Sequence, residues 1–208
     1  MMKMDFDFLH RVKGFMANEE AVRLHELALA AAARGPILEI GSYCGLSAAV
    51  IGWACRQHNA TLFSIDHHKG SEEQQPGEQY FDPDLYDTTT GRINTLPFFL
   101  QTIETAGLTD HVVPLVCESA VAGKMWRTPL AMVFIDGGHS FDAAYQDFLT
   151  WSPHVMVDGF LVFHDIFLDP AEGGQAPRQV YDTALQTENY IELPMTRTLG
   201  VLQQKPVI

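Results

Sequence analysis

The residues best equipped for chemistry follow two apolar runs. Phe134-Ile135 leads into Asp136-Gly137-Gly138-His139-Ser140, and Phe160-Leu161-Val162-Phe163 leads into His164-Asp165. Carboxylates and imidazoles leaving neighbouring strand ends can converge on a hard or borderline divalent ion. Alternatively, one of the histidines can act as a general base, because imidazole exchanges its proton near neutral pH. No His-Glu-x-x-His or similar short ligand motif occurs, so the set is not a zinc signature. The bland alternative is a polar crevice rim with satisfied hydrogen bonds.

A second segment, Leu38-Glu39-Ile40-Gly41-Ser42-Tyr43-Cys44-Gly45-Leu46-Ser47, has the form strand, glycine loop, helix start. Its spacing is Gly41-x-x-x-Gly45, not Gly-x-Gly-x-x-Gly. Gly41 allows a tight turn and an unobstructed surface. Glu39 precedes the strand end, where its carboxylate can reach a cationic ligand group or simply face solvent. Asp66 ends the next strand, 25 residues after Gly41. An acid there can accept both hydroxyls of a ribose, or cap the segment that follows. Glu118-Ser119 can border a base pocket, although Ser119 is an equally good helix cap. His67 and His68 can add to the site from the loop after Asp66. Tyr80, Phe81, Tyr86, Phe98 and Trp126 can wall a pocket or fill the core. Cys44 has no evident partner for nucleophilic chemistry.

The elements that must position these residues alternate. After a lead-in over 5–17, a helix is expected over 19–33, ended by Gly35-Pro36. Strand 37–40, helix 46–57 and strand 61–65 follow, and Ser47, Ala48, Ala49 and Gly52 would let the helix pack closely on the sheet. Residues 67–91 form a long connection of the kind that often serves as a lid or binding loop. A helix over 92–106, a strand over 112–116, a strand over 130–135 and a helix over 141–151 come next. Asp158-Gly159 reads as a turn into the strand 160–163. A helix near 178–187 and two closing strands within 190–205 complete the chain. Such alternation demands a mostly parallel α/β sheet with helices on both faces. Residues 1–34 read as an N-terminal helical extension and 35–208 as the main domain.

Composition narrows the partners. The 208 residues carry 26 acids against 13 Lys plus Arg, a formal net charge of -13. No basic patch is legible, which argues against a nucleic-acid partner. Three cysteines without paired spacing, Cys44, Cys55 and Cys117, fit a reducing, cytoplasmic setting. No apolar h-region follows Met1, and no apolar run is long enough for a bilayer, so no membrane partner is expected. A homodimer is the base-rate expectation.

At these residues the chain resembles the class I S-adenosylmethionine (SAM)-dependent methyltransferases. The likeness is to a small bacterial branch carrying Ile-Asp-Gly-Gly-His-Ser-Tyr/Phe and a later Phe-His-Asp. Here those motifs are Ile135-Asp136-Gly137-Gly138-His139-Ser140-Phe141 and Phe163-His164-Asp165. The resemblance covers about residues 35–205 and implies a Rossmann-like, mostly parallel seven-stranded sheet with an antiparallel C-terminal strand. It implies that Glu39, Gly41 and Ser42, with Gly45 and Ser47 in the same loop, lie by the methionine part of SAM. Asp66, with His67 beside it, would hold the ribose, Glu118 and Ser119 would border the adenine, and Asp136 would lie near the sulfur. Related sugar and macrolide O-methyltransferases imply a divalent ion, magnesium or manganese, at Asp136, His164 and Asp165. His164 departs from the acid expected there. His139 is the candidate base, and Asp136 and His164 are further candidate catalytic groups. The implied reaction is methyl transfer to a hydroxyl of a small-molecule acceptor. An NAD-dependent oxidoreductase or a hydroxylase-like enzyme on a related fold is an alternative, as is a non-catalytic binding or assembly protein.

Overall fold

A computed structural model describes residues 4–138 and 140–206. The expected alternation is present. Helices α1 (Phe6–Leu9) and α2 (Asn18–Ala32) precede β1 (Ile37–Ile40), α3 (Leu46–His58) and β2 (Leu62–Ile65). The long connection contains a small antiparallel hairpin, β3 (Tyr86–Asp87) with β4 (Arg92–Ile93). Then come α4 (Leu96–Thr105), β5 (Val112–Leu115), α5 (Ser119–Gly123), β6 (Leu130–Ile135) and α6 (Phe141–Trp151). The chain closes with β7 (Val155–Phe163), α7 (Ala176–Gln186), β8 (Tyr190–Thr196) and β9 (Leu199–Gln204).

The main sheet has the order β5-β2-β1-β6-β7-β9-β8. Neighbouring strands from β5 to β7 run parallel, and β9 is antiparallel to both β7 and β8. The order reverses at β1, so a crevice opens between the carboxyl ends of β1 and β6, where parallel α/β sheets bind ligands. All four residues of β1 and all six of β6 are buried, as expected for strands covered on both faces.

The period-2 alternation of side chains divides the core into two layers. Ile37, Met132, Phe134 and Val162 face α2, α3 and α4. Leu38, Ile40, Val133, Ile135, Leu161 and Phe163 face α6 and α7. The small residues of α3 do allow close packing: a Cβ on Gly52 would stand 2.8 Å from Leu108 and 2.9 Å from Val112. Helix α2 joins the same layer through Leu24, Ala28 and Ala31.

Two local expectations are corrected. Residues 92–93 are not the first turn of α4 but β4, whose Ile93 is buried with Leu85 and Cys44. Asp158-Gly159 does not start a strand. It lies inside β7, which pairs with β6 from Leu130–Val155 onward across a register shift. The extra residues form a bulge in which Asp158 takes φ 58.

Candidate active site

The crevice is a cavity of about 360 Å³, within the range of small-molecule sites. Its walls come from the loops after β1, β2, β5, β6 and β7. Of the residues expected at a cofactor, Gly41, Ser42, Ser47, Asp66, His67, Glu118, Ser119 and Asp136 line it. His164 and Asp165 line it too. Glu39 and Gly45 are not in the walls.

Gly41 shows why the β1 loop has its composition. Its φ is 89°, and a Cβ there would stand 1.9 Å from the backbone oxygen of Asp136. Only a residue without a side chain lets the β1 and β6 ends approach this closely. Asp66 then organises the same loop. One of its carboxylate oxygens accepts from the N–H groups of Ser42 and Tyr43, each at 2.9 Å, and the other accepts from the N–H of His68 at 2.6 Å. A carboxylate has about four acceptor sites, so roughly one is left for a ligand hydroxyl. Asp66 thus caps the loop after β1 and the segment after β2, and it lines the cavity.

Glu39 is corrected in position. It shares the Ile37 side of β1 and is fully buried under the crevice floor. Its Oε2 accepts from Ser64 Oγ, and that hydroxyl pairs with Ser42 Oγ in the cavity wall. Its Oε1 has no well-formed hydrogen bond among the described residues. Burial raises its carboxyl to about 7, opposed by Ser47 and Ser64 and reinforced by Asp136 and Asp66. Glu39 thus reaches the cavity through hydroxyls rather than directly. Gly45 starts α3 at φ 92, packed against Phe99 and Thr102.

The acidic end of the crevice is built on β6 and β7. His164 Nδ1 lies 3.1 Å from Asp136 Oδ1 and 3.5 Å from Asp165 Oδ1. One donor atom from each of the three lies within 4.8 Å of the others. Neighbouring ligands at right angles on an ion with bonds of about 2.1 Å stand about 3 Å apart. The arrangement therefore fits one divalent ion held by two carboxylates and an imidazole, with positions left over for water or an acceptor oxygen. Burial disfavours a charge on His164. The carboxylate of Asp136 outweighs this, helped by hydrogen bonds to Asp165 and Glu20, and holds the imidazole proton far above the usual histidine range. An ion at Nδ1 must displace that proton.

Other histidines and cysteines separate cleanly. His67 lines the cavity, and its Nδ1 accepts from the Lys69 N–H at 3.0 Å. His68 turns away, buried, with its Nδ1 2.7 Å from Thr95 Oγ1. His139 lies outside the described residues. Cys44 is buried and its thiol is pushed up to about 12 by burial, which suits packing rather than attack.

Several lining residues lacked a sequence signal. Lys13, Gly14, Phe15 and Met16 close one side from the lead-in segment. Lys13 Nζ forms ion pairs with Asp82 and Asp84, tying that segment to the long connection. Phe15 meets Tyr43 and Tyr80 at ring distances of 5.7 and 5.5 Å. The expected wall aromatics Tyr80, Phe81, Tyr86, Phe98 and Trp126 do not line the cavity, and Tyr43 and Phe15 do. Asp147 of α6 also lines it, buried, with its carboxyl raised to about 6 by burial, opposed by Ser119 and reinforced by Glu118.

Residues 38–166, which contain both motif segments, match the family model of the methyltransferase domain. The chain belongs to the methyltransferase domain family. Solved structures share the methyltransferase fold at low identity. The O-methyltransferase NovP aligns at TM-score 0.69 and 14% identity over 90% of this chain and 80% of its own. TomG of Streptomyces achromogenes, an O-methyltransferase of tomaymycin synthesis solved in complex with SAM, aligns at 0.63 and 16% over 92% and 82%. An O-methyltransferase from Bacillus cereus in complex with SAH aligns at 0.64 and 14% over 98% and 93%. The seven-stranded order of this methyltransferase, with its single antiparallel β9, is the expected Rossmann-like one. No helix among the described residues is long and apolar enough to cross a membrane.

Proposed function

We propose that this methyltransferase transfers a methyl group from SAM to a hydroxyl of a small molecule, such as a sugar or secondary metabolite. A divalent ion, magnesium or manganese, would sit at Asp136, His164 and Asp165. The observation that carries the reading is one cavity with two chemically distinct ends. At one end Asp66 and Ser42, beside the Gly41 loop, offer polar oxygens. At the other, two carboxylates and an imidazole converge.

Held by these residues, SAM would supply an electrophilic methyl group and the ion a positive charge that would acidify an acceptor hydroxyl. The chain's own part is orientation and proton management. Gly41, Ser42, Ser47 and Asp66 would hold the cofactor's methionine and ribose, with His67 beside the ribose. Glu118 and Ser119 would border the adenine. Asp136 stands between the two ends and would align acceptor and methyl group, a proximity effect. His139, three residues after Asp136, is the candidate base for the acceptor proton. Lys13, Phe15 and Met16 would exclude water from the acceptor side. Three free cysteines fit a reducing, cytoplasmic setting.

Calorimetry with SAM, S-adenosylhomocysteine (SAH) and NAD tests the reading. SAM and SAH should bind with micromolar affinity, on the order of -8 kcal/mol, and NAD should not. Binding of NAD without SAM or SAH would refute it in favour of the oxidoreductase alternative. Binding of none of the three would favour a non-catalytic role.

A further inference from the structure

Glu20 belongs to neither motif, yet it reaches the acidic end of the crevice from the N-terminal helix. It is 3% exposed. Its Oε1 accepts from the Thr198 N–H at 2.9 Å and from Thr198 Oγ1 at 2.7 Å. Its Oε2 accepts from the Ala17 N–H at 3.0 Å and stands 3.4 Å from His164 Nε2. Three donors other than the histidine therefore fix this carboxylate, so it cannot swing away to suit the ring. His164 is 5% exposed, and its Nδ1 edge faces Asp136 and Asp165.

We infer that Glu20 is a positioning residue: by accepting the Nε2–H of His164 it presents Nδ1 to the divalent ion, which makes helix α2 part of the ion site. The inference rests on the ion reading above. A neutral imidazole has one N–H and one free nitrogen, and the partner of the first decides which nitrogen ligates. Carboxylates placed behind ligating histidines set tautomer and ring angle and raise ligand basicity. Glu20 has the charge for this. Four donors, two from Thr198 and one each from Ala17 and His164, converge on its two oxygens, the surroundings of a carboxylate rather than of a carboxylic acid. The same bonds close the first turn of α2 and anchor the β8–β9 turn. A merely structural Glu20 is thus the rival explanation, and the test must separate the two.

The experiment uses the full-length protein and Mn2+ titrated by electron paramagnetic resonance. Glu20→Gln keeps size and an acceptor oxygen but loses the charge, and Glu20→Ala loses both. Losing the partner behind a ligating histidine weakens metal binding by about 10- to 100-fold, and the expected order of affinity is wild type, then Gln, then Ala. Long-range proton–nitrogen NMR with Mg2+ supplies the second readout. In wild type, His164 should carry its proton on Nε2, and in Glu20→Gln that single tautomer should give way to a mixture. SAH affinity serves as the fold control and should be unchanged in Glu20→Gln. Equal Mn2+ affinity and an unchanged tautomer in a folded Glu20→Gln would overturn the positioning role and leave the ion site standing. Wild-type protein that binds SAH but no Mn2+ would overturn the ion reading and this inference together.

Discussion

Replacing Glu39 with Gln should make the ligand-free protein more stable at alkaline pH. The Glu39 carboxyl is raised from 4.5 to about 7 because its charge is fully buried. The folded state therefore holds a proton that the unfolded state has already lost. Stability from this group is complete below about pH 4.5 and declines as pH rises through 7. A shift of this size corresponds to about 3 kcal/mol of unfavourable ionisation above pH 8. Gln has the shape of the neutral acid and no such penalty. Its amide must still find acceptors among Ser42, Ser47 and Ser64, which costs about 1 kcal/mol. The net expectation is a gain of roughly 1–3 kcal/mol at pH 9 and no gain at pH 4. Urea unfolding of both proteins from pH 4 to 9, with unchanged m-values, measures it. The difference between the two proteins isolates Glu39 from Asp147, which titrates in the same direction. A pH-independent difference would refute the buried-charge account.

Three further outcomes follow from the site. Asp66→Ala should weaken SAH binding by one to two orders of magnitude, on the order of 1.5–3 kcal/mol, and lower the melting temperature because three backbone N–H groups lose their acceptor. Unchanged SAH affinity would remove Asp66 from the cofactor site. Mn2+ binding near pH 7 should release about one proton, visible as a buffer-dependent calorimetric enthalpy, because the ion displaces the raised His164 proton. An enthalpy independent of the buffer would mean that Nδ1 is not a ligand. His139→Ala should reduce methyl transfer by about 10²–10⁴-fold while sparing Mn2+ and SAH affinity, and full activity would dismiss it as the base.

The parts of this fold legible in the sequence are those written in local pattern. The apolar runs 37–40 and 130–135, the glycine at 41 and the acids at 66 and 136 are each decided by neighbours along the chain. Where that pattern is silent, the expectations failed. A four-residue strand buried on both faces does not say which way Glu39 points. Residues 86–93 are too short a hairpin for periodicity to register, so the helix after them was extended too far. The β7 bulge depends on Asp158 adopting a left-handed conformation, which mimics an ordinary turn. Glu20 meets His164 across 144 residues, and nothing in either segment announces the other. Lys13, Phe15 and Met16 reach the cavity on a lead-in segment tied to the long connection by the Lys13 ion pairs, a contact between distant stretches of chain.

The bond network of Glu20 also joins the beginning of the chain to its end. Glu20 and Thr198 are separated by 178 residues, and both hydrogen bonds to Oε1 need the β8–β9 turn in place. Closing so long a loop carries an entropic cost that only the docking of the last hairpin offsets. During biosynthesis the glycine loop and Asp66 emerge early, whereas Thr198, which fixes Glu20 Oε1, emerges near the end of the chain. Thr198, outside the crevice walls, thus ties the last two strands to the carboxylate behind His164.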